Sequence, residues 1–405
     1  MWAFLLRELK PKGPLVTPFN VVTLPLMAAT AVILAARFAW GLGAVTNLNQ
    51  QFPWGLWVGF DVMAGVALAG GAYVITFLVY IMRIEHYHPI VRVTVLNGFL
   101  AYAFYAGALL LDLGRPWNVI NPIIGNSFGL GSVLFLVAWH FLLYMTAEFV
   151  ELSPAIAEWL GWRRVRRVLN GLTIGAVVFG ITLSTLHQSA LGALYLMAKP
   201  KIHPLWYSEF IPVLFFVSSI YAGLCMVIFE GGISHRVFHA RLSPTLARSH
   251  DAIVIGLARI AGAALFVNLF LEALKFLHGQ LWLAFTGGWA AWYLVEVVGF
   301  GVVPMALLMR GSATRHLPMV KVGAVMGLAG VILNRLNLSV IAFKWNEAAH
   351  YVPSWMEIVV TAGVISAEIW VFRWIVLRMP ILSDIQTHAS ARPGIARVVA
   401  KRLAS

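Results

Sequence analysis

The chain has 405 residues, 60% hydrophobic and 11% charged, where soluble domains carry about one quarter charged residues; this excludes a soluble globular fold and predicts an all-α integral membrane protein. Its one cysteine, Cys225, excludes a disulfide framework, a cysteine-ligated iron–sulfur cluster and c-type haem attachment, each of which needs two or more thiols. A net charge of +13 would suit nucleic acid, but most Lys and Arg sit between apolar segments, where they orient a membrane protein, so no nucleic-acid partner is expected.

Residues 1–18 read as a cytoplasmic N-terminus. They carry Arg7, Lys10 and Lys12 without the short apolar core and small-residue cleavage site of a signal peptide. Apolar segments near the ~20 residues needed to cross a bilayer follow at 19–40, 54–82, 91–112, 128–149, 168–192, 208–230, 252–275, 288–309, 319–340 and 356–378. The membrane domain is therefore expected over 19–378, with a basic cytoplasmic tail over 379–405. Twenty basic residues fall at the termini and in alternate loops on one side, five on the other and four within spans. That asymmetry predicts ten spans with both termini in the cytoplasm of a bacterial inner membrane. The opposite loops are poor in charge and rich in Trp, with Trp54, Trp57, Trp117, Trp206, Trp282, Trp289, Trp345 and Trp355 in or beside them. These fit an interfacial aromatic belt, a docking face or the mouth of a lipid-soluble ligand's site.

Ionisable groups at membrane depth are costly and mark functional sites by default. Four lie towards the Trp-rich end. Asp61 sits seven residues in from Trp54, about 10 Å deep at 1.5 Å per residue. Asp112 and Arg115 close the third span at a spacing that lets a helical pair meet. His187, with Gln188, ends the fifth span in the stretch STLHQSALGALY. A second set, Tyr102, His140, Glu148, Glu230, Arg259, Glu272, Glu296, Arg335, Glu368 and Arg373, lies deeper or towards the basic loops. These residues form either a graded proton relay or buried ion pairs. His140 and His187 differ in expected depth by about 10 Å, so one haem ligated by both is not expected.

The stretches GLGAVTNLNQQFPWGLWVGFD (41–61), LLLDLGRPWN (109–118), STLHQSALGALY (184–195), KIHPLWYSE (201–209) and MVIFEGG (226–232) resemble the NrfD, or polysulfide-reductase, family of membrane subunits. Within it the chain is most similar to HybB-like subunits of membrane-bound hydrogenases and to the related subunit of the high-molecular-weight cytochrome complex. The resemblance implies two packed four-helix bundles with flanking helices, and no haem, iron–sulfur cluster or metal of the chain's own. It implies a bound quinone, menaquinone or ubiquinone, that exchanges electrons with a ferredoxin-like iron–sulfur subunit on the periplasmic face. Behind that subunit stand hydrogenase or multihaem cytochrome c subunits. Carried over by motif, His187, Asp61 and Asp112 would handle the reacting quinone, and Tyr102, Arg115, Gln188 and Trp206 would bind it. His140 and Glu230 would lie on a proton path. Where HybB-like members commonly have a glutamate after SVLF, this chain has Leu136, and His140 one turn on shares that helix face.

Two other classes stay open. A transporter-like module would move an ion or solute through the intramembrane acids and arginines, although broken helices and inverted repeats are not evident. A membrane anchor would tether a redox partner without a site of its own. In each reading the chain is not a catalyst by itself.

Overall fold

The computed structural model describes residues 7–12, 14, 16–124 and 131–382. The expected basic tail lies outside the described residues from 383 on, as does 125–127 of the third-to-fourth-span loop. Among the described residues ten helices are long and apolar enough to cross a membrane. They are α1 (Pro18–Trp40), α2 (Trp57–Ile81), α3 (Glu85–Asp112), α4 (Val133–Trp159), α5 (Arg163–Lys201), α6 (Ile211–Val237), α7 (Pro244–His278), α8 (Gly287–Ala313), α9 (Leu317–Ile341) and α10 (Trp355–Val376).

Helix starts follow from local chemistry. Thr17 caps α1 by accepting from the Asn20 amide, Ser243 caps α7 by accepting from Leu246, and in both the next residue is Pro, whose missing N–H costs nothing at the first helical position. Ser354 and Glu357 form a reciprocal capping box at the start of α10. Gly41, at φ +90°, ends α1 in a conformation open to glycine without strain.

Helices α2 to α5 pack in sequence and close through α2 against α5; α6 to α9 do the same and close through α6 against α9. The result is two four-helix bundles, as the resemblance implied. They meet where α6 lies on α2 and α5, and α9 on α2. Helices α1 and α10 pair on the flank, with α10 leaning on α3. Burial follows this arrangement. The most apolar window of α2 is 89% buried and that of α6 61%, against 22% for α1 and α10. The outer helices turn Val21, Val32, Leu172, Ile174, Phe266 and Phe270 outward, where lipid is the solvent. At the centre Gly223 of α6 meets Gly70 and Gly71 of α2 so closely that a Cβ on Gly223 would stand 2.0 Å from the Gly71 nitrogen. Small residues allow this approach between membrane helices.

Five helical stretches widen into π turns: Trp57–Gly65 and Phe77–Ile81 in α2, Tyr102–Ala106 in α3, Val295–Val302 in α8 and Asn337–Ile341 in α9. Such turns free backbone groups and re-aim side chains, often at functional sites. Four of the five carry intramembrane polar residues, among them Asp61, Tyr102, Glu296 and Asn337.

Candidate functional site

The π turn of α2 buries Asp61 at 1% exposure. Its Oδ2 accepts from the Thr361 hydroxyl of α10 at 3.4 Å, while Oδ1 is buried without a partner. Asp112, an electrostatic neighbour of Asp61, also has a buried, unmatched Oδ1. Its expected pairing with Arg115 is absent. The helix stops at Asp112, Leu113 turns to extended backbone, and Gly114 carries Arg115 out to solvent. The cation beside Asp112 is Arg37 of α1. Arg37, 3% exposed, donates through Nε to the Leu111 carbonyl at 2.8 Å and through Nη2 to that of Leu113. It thus closes the open end of α3, where carbonyls lack helical donors.

The second group lies between α3, α4 and α5. His187 is 2% exposed, with its Nδ1 unmatched. Its ring lies 5.6 Å from Tyr102 and 6.3 Å from Phe141. Gln188 donates through Nε2 to the Val66 carbonyl of α2 at 3.0 Å, and its Oε1 is unmatched. The Tyr102 hydroxyl faces Ser184 and Gln188 without closing a hydrogen bond to either. The Tyr144 ring meets Tyr102 edge-on at 4.5 Å, and its hydroxyl donates to Glu148 Oε1 at 2.7 Å. Asp61 and His187 share no hydrogen bond. The π turn of α3 touches both groups, with Tyr102 towards α4 and α5 and Tyr105 against Gly65 of α2 and near Glu368 of α10.

The expected 10 Å depth difference between His140 and His187 is not observed. Helix α4 begins only at Val133, seven residues before His140, and α5 continues past Ala193 into a tighter 3₁₀ segment to Lys201. The two histidines are electrostatic neighbours, and His140 Nδ1 is also unmatched. Glu230 on α6 accepts from Asn97 of α3 and lies near Glu368. Leu136, the position at which the resemblance implied an acid, is 38% exposed on the outer surface.

Trp206 does not join His187. Its indole donates to Glu296 Oε2 at 2.6 Å inside the second bundle, where Asn334 and Asn337 supply further donors to the same carboxylate. Arg335 binds Asn334 and Ser218 and lies 3.5 Å over the Phe215 ring. Nearby, Lys275 pairs with Glu272. Of the tryptophans, Trp57 and Trp206 are buried, whereas Trp117, Trp282 and Trp355 are exposed in the manner of an interfacial belt.

The loop holding Trp206 is pinned by His203. Its amide donates to the Ala342 carbonyl at 2.9 Å, its Nδ1 accepts from the Leu205 amide at 3.2 Å, and Trp206, Trp289 and Trp345 surround the ring. Burial pushes its pKa down from 6.5 to about 4. The unfolded chain therefore takes up a proton below pH 6.5 that the folded loop refuses. Stability is expected to fall as pH drops from about 6.5 towards 4. Melting temperature against pH checks this, since His203→Gln should flatten that part of the curve.

Arg37, Tyr105, Tyr144 and Ser184 were not singled out from the sequence. The spacing of His140, Tyr144 and Glu148 at four-residue steps on one helix face was the available signal for Tyr144. Among the described residues, no three His, Cys, Asp or Glu are arranged to hold a metal ion.

Comparison with known proteins agrees with this layout. The family profile described as polysulphide reductase, NrfD, matches residues 44–344. A protein of Nitratidesulfovibrio vulgaris is 40% identical across 93% of this chain and 97% of its own length. The probable Ni/Fe-hydrogenase 2 b-type cytochrome subunit of Escherichia coli is 28% identical across 90% of this chain and 92% of its own length. The integral membrane subunit of the N. vulgaris menaquinone reductase is 26% identical across 79% and 83%. With the family profile spanning most of the chain and a 40% identical relative aligned almost end to end, this chain belongs to the polysulphide reductase NrfD family of membrane proteins.

Proposed function

We propose that the chain is the quinone-reactive membrane subunit of a respiratory oxidoreductase complex in the bacterial inner membrane, with both termini cytoplasmic. The carrying observation is the concentration of unmatched buried polar atoms beneath the Trp-rich face: Asp61 Oδ1, Asp112 Oδ1, Tyr102 Oη, His140 Nδ1, Ser184 Oγ, His187 Nδ1 and Gln188 Oε1. Buried polar atoms are nearly always satisfied, so a cluster of them points to water or a polar ligand. A quinone carries two carbonyl acceptors on an apolar ring, and the surrounding Phe141, Tyr144, Val62 and Val66 suit the ring and tail. In this reading His187, with Tyr102 and Gln188, serves one carbonyl, and Asp61, backed by Asp112 and Arg37, serves the other. Arg115 and Trp206 fall outside it.

Electrons pass between the quinone and a ferredoxin-like iron–sulfur subunit on the periplasmic side, with hydrogenase or multihaem cytochrome c subunits beyond. The names of the hydrogenase and menaquinone-reductase relatives support assembly into such a complex. In the hydrogenase relative "b-type cytochrome" names a haem protein, and neighbouring His140 and His187 invite the same question here. His187 packs against the Tyr102 and Phe141 rings, and in this reading it faces the quinone rather than an iron.

The test is binding of a fluorescent hydroxyquinoline-type quinone analogue to the purified complex, with menadione as competitor. Saturable binding displaced by menadione is expected, and Phe141→Trp should change both affinity and fluorescence. Wild-type complex that binds no analogue removes the quinone reading and favours an anchor.

A further inference from the structure

The two polar groups beneath the Trp-rich face continue towards the basic loops along separate routes. From His187 the first passes Tyr102 and Tyr144 to Glu148, which is 2% exposed and has an unmatched Oε2. Glu148 neighbours Glu151, and Glu151 lines a cavity of about 70 Å³ with Tyr80, Arg92, Asn170 and Thr173. From Asp61 the second passes Tyr105 and Glu368 to Glu230, held by Asn97. Glu230 and Asn97 line two cavities at once, one of about 20 Å³ that reaches Tyr105 and Glu368, and one of about 50 Å³ that reaches His235 and His250 near the basic loops. Helix α3 separates the routes, which draw close at Gly98, where the missing side chain leaves room for the Glu148 carboxylate. A single ordered water needs roughly 10–15 Å³ and two or more polar partners, so each cavity can be wet.

Reduction of a quinone takes two electrons and two protons, one proton for each oxygen. Resting on the quinone reading above, we propose that the two oxygens are served by separate proton files, one through Tyr102, Tyr144 and Glu148 to His187, the other through Glu230, Glu368 and Tyr105 to Asp61. Each electron comes from a one-electron iron–sulfur donor. As an oxygen gains negative charge, His187 or Asp61 gives it a proton, and the acids behind refill that group from the basic-loop side. Quinol oxidation runs both files backwards. The geometry favours two files over one because the two groups share no hydrogen bond and each has its own acids and its own cavity. Tyrosine hydroxyls and carboxyls that both donate and accept form each chain.

The experiment measures single-turnover proton uptake with a pH-indicator dye when chemically reduced complex is mixed with menadione. Glu148→Gln, Glu230→Gln and the double variant are compared with wild type, alongside menadione affinity. Tyr144→Phe and Glu368→Gln give a second variant on each file should either first one fail to assemble. Each single variant should retain wild-type affinity and take up half of the protons at the wild-type rate and half about 100-fold more slowly, the usual scale for a lost proton-transfer group. In the double variant the whole uptake should be slow. If variants on one route slow the entire uptake while those on the other leave it unchanged, one file serves both oxygens and the proposal is overturned. Weakened menadione affinity in the Glu148 or Glu230 variants would make those acids pocket residues and end the proposal. Wild-type complex that does not react with menadione sinks the quinone reading itself, a distinct result.

Discussion

Asp61→Asn and His187→Ala are each expected to cut quinone turnover by the assembled complex about 10²- to 10⁴-fold, the range for losing a positioned acid or base. The case for Asp61 is geometric. Its carboxylate has one oxygen on Thr361 and the other buried and unmatched, so the folded chain does not use that oxygen. Asparagine keeps the shape and can keep the Thr361 contact, so helix packing should survive while the proton is lost. His187 differs in kind, because alanine also opens a void between Tyr102 and Phe141. His187→Gln is the fairer partner to Asp61→Asn, and both should lower kcat more than they raise KM if the groups act on the developing charge rather than in ground-state binding. Asp112→Asn should be milder, since Asp112 has Arg37 beside it and lies at the helix end. Steady-state quinone reduction, with assembly verified by size-exclusion chromatography, decides the matter. Full activity in Asp61→Asn and His187→Gln together would place the chemistry elsewhere.

Much of the architecture was legible because membrane insertion imposes simple rules. Apolar segments of about 20 residues separated by alternating basic and Trp-rich loops can hardly be anything but spans, and among the described residues each of the ten expected segments holds a helix long and apolar enough to cross a membrane. What the sequence hid was local. An i, i+3 spacing promised an Asp112 and Arg115 pair, but it presumes a helix through both residues, and α3 stops at Asp112. Arg37, far earlier in the chain and by its sequence no more than another basic residue within a span, supplies the charge instead. Counting residues from loop edges set His140 and His187 at different depths, because where α4 begins and how far α5 runs cannot be counted from hydropathy. Trp206 follows the stretch STLHQSALGALY closely in sequence yet serves Glu296 in the other bundle, since a loop between α5 and α6 can face either one. The π turns carry no periodic signature at this length, although they aim Asp61, Tyr102 and Tyr105.

The two bundles approach backbone to backbone at Gly223, and Gly223→Val is expected to force them apart there. At Gly223 a Cβ would meet the Gly71 nitrogen at 2.0 Å and the Gly70 carbonyl carbon at 2.3 Å. Both are backbone atoms of a helix buried nearly end to end, so no rotamer change relieves the clash and α6 must move off α2. Overpacking of a tight core commonly costs about 1–3 kcal/mol and occasionally more; with two backbone contacts this short, the upper end or beyond is expected. The purified subunit should then melt many degrees lower or fail to accumulate in the membrane. Gly232→Val, on the same helix, has its nearest neighbour at 3.8 Å, the flexible end of Lys321, and should melt within a few degrees of wild type. If the two variants behave alike, the contact does not join the bundles as described. The contact bears on the proposed chemistry as well as on stability, because α2 carries Asp61 and α6 carries Glu230. Gly223→Ala places the same Cβ against the Gly71 nitrogen, so it too should lower the melting temperature, by less than the bulkier valine, and under the proposed file from Glu230 to Asp61 it should also slow quinone turnover.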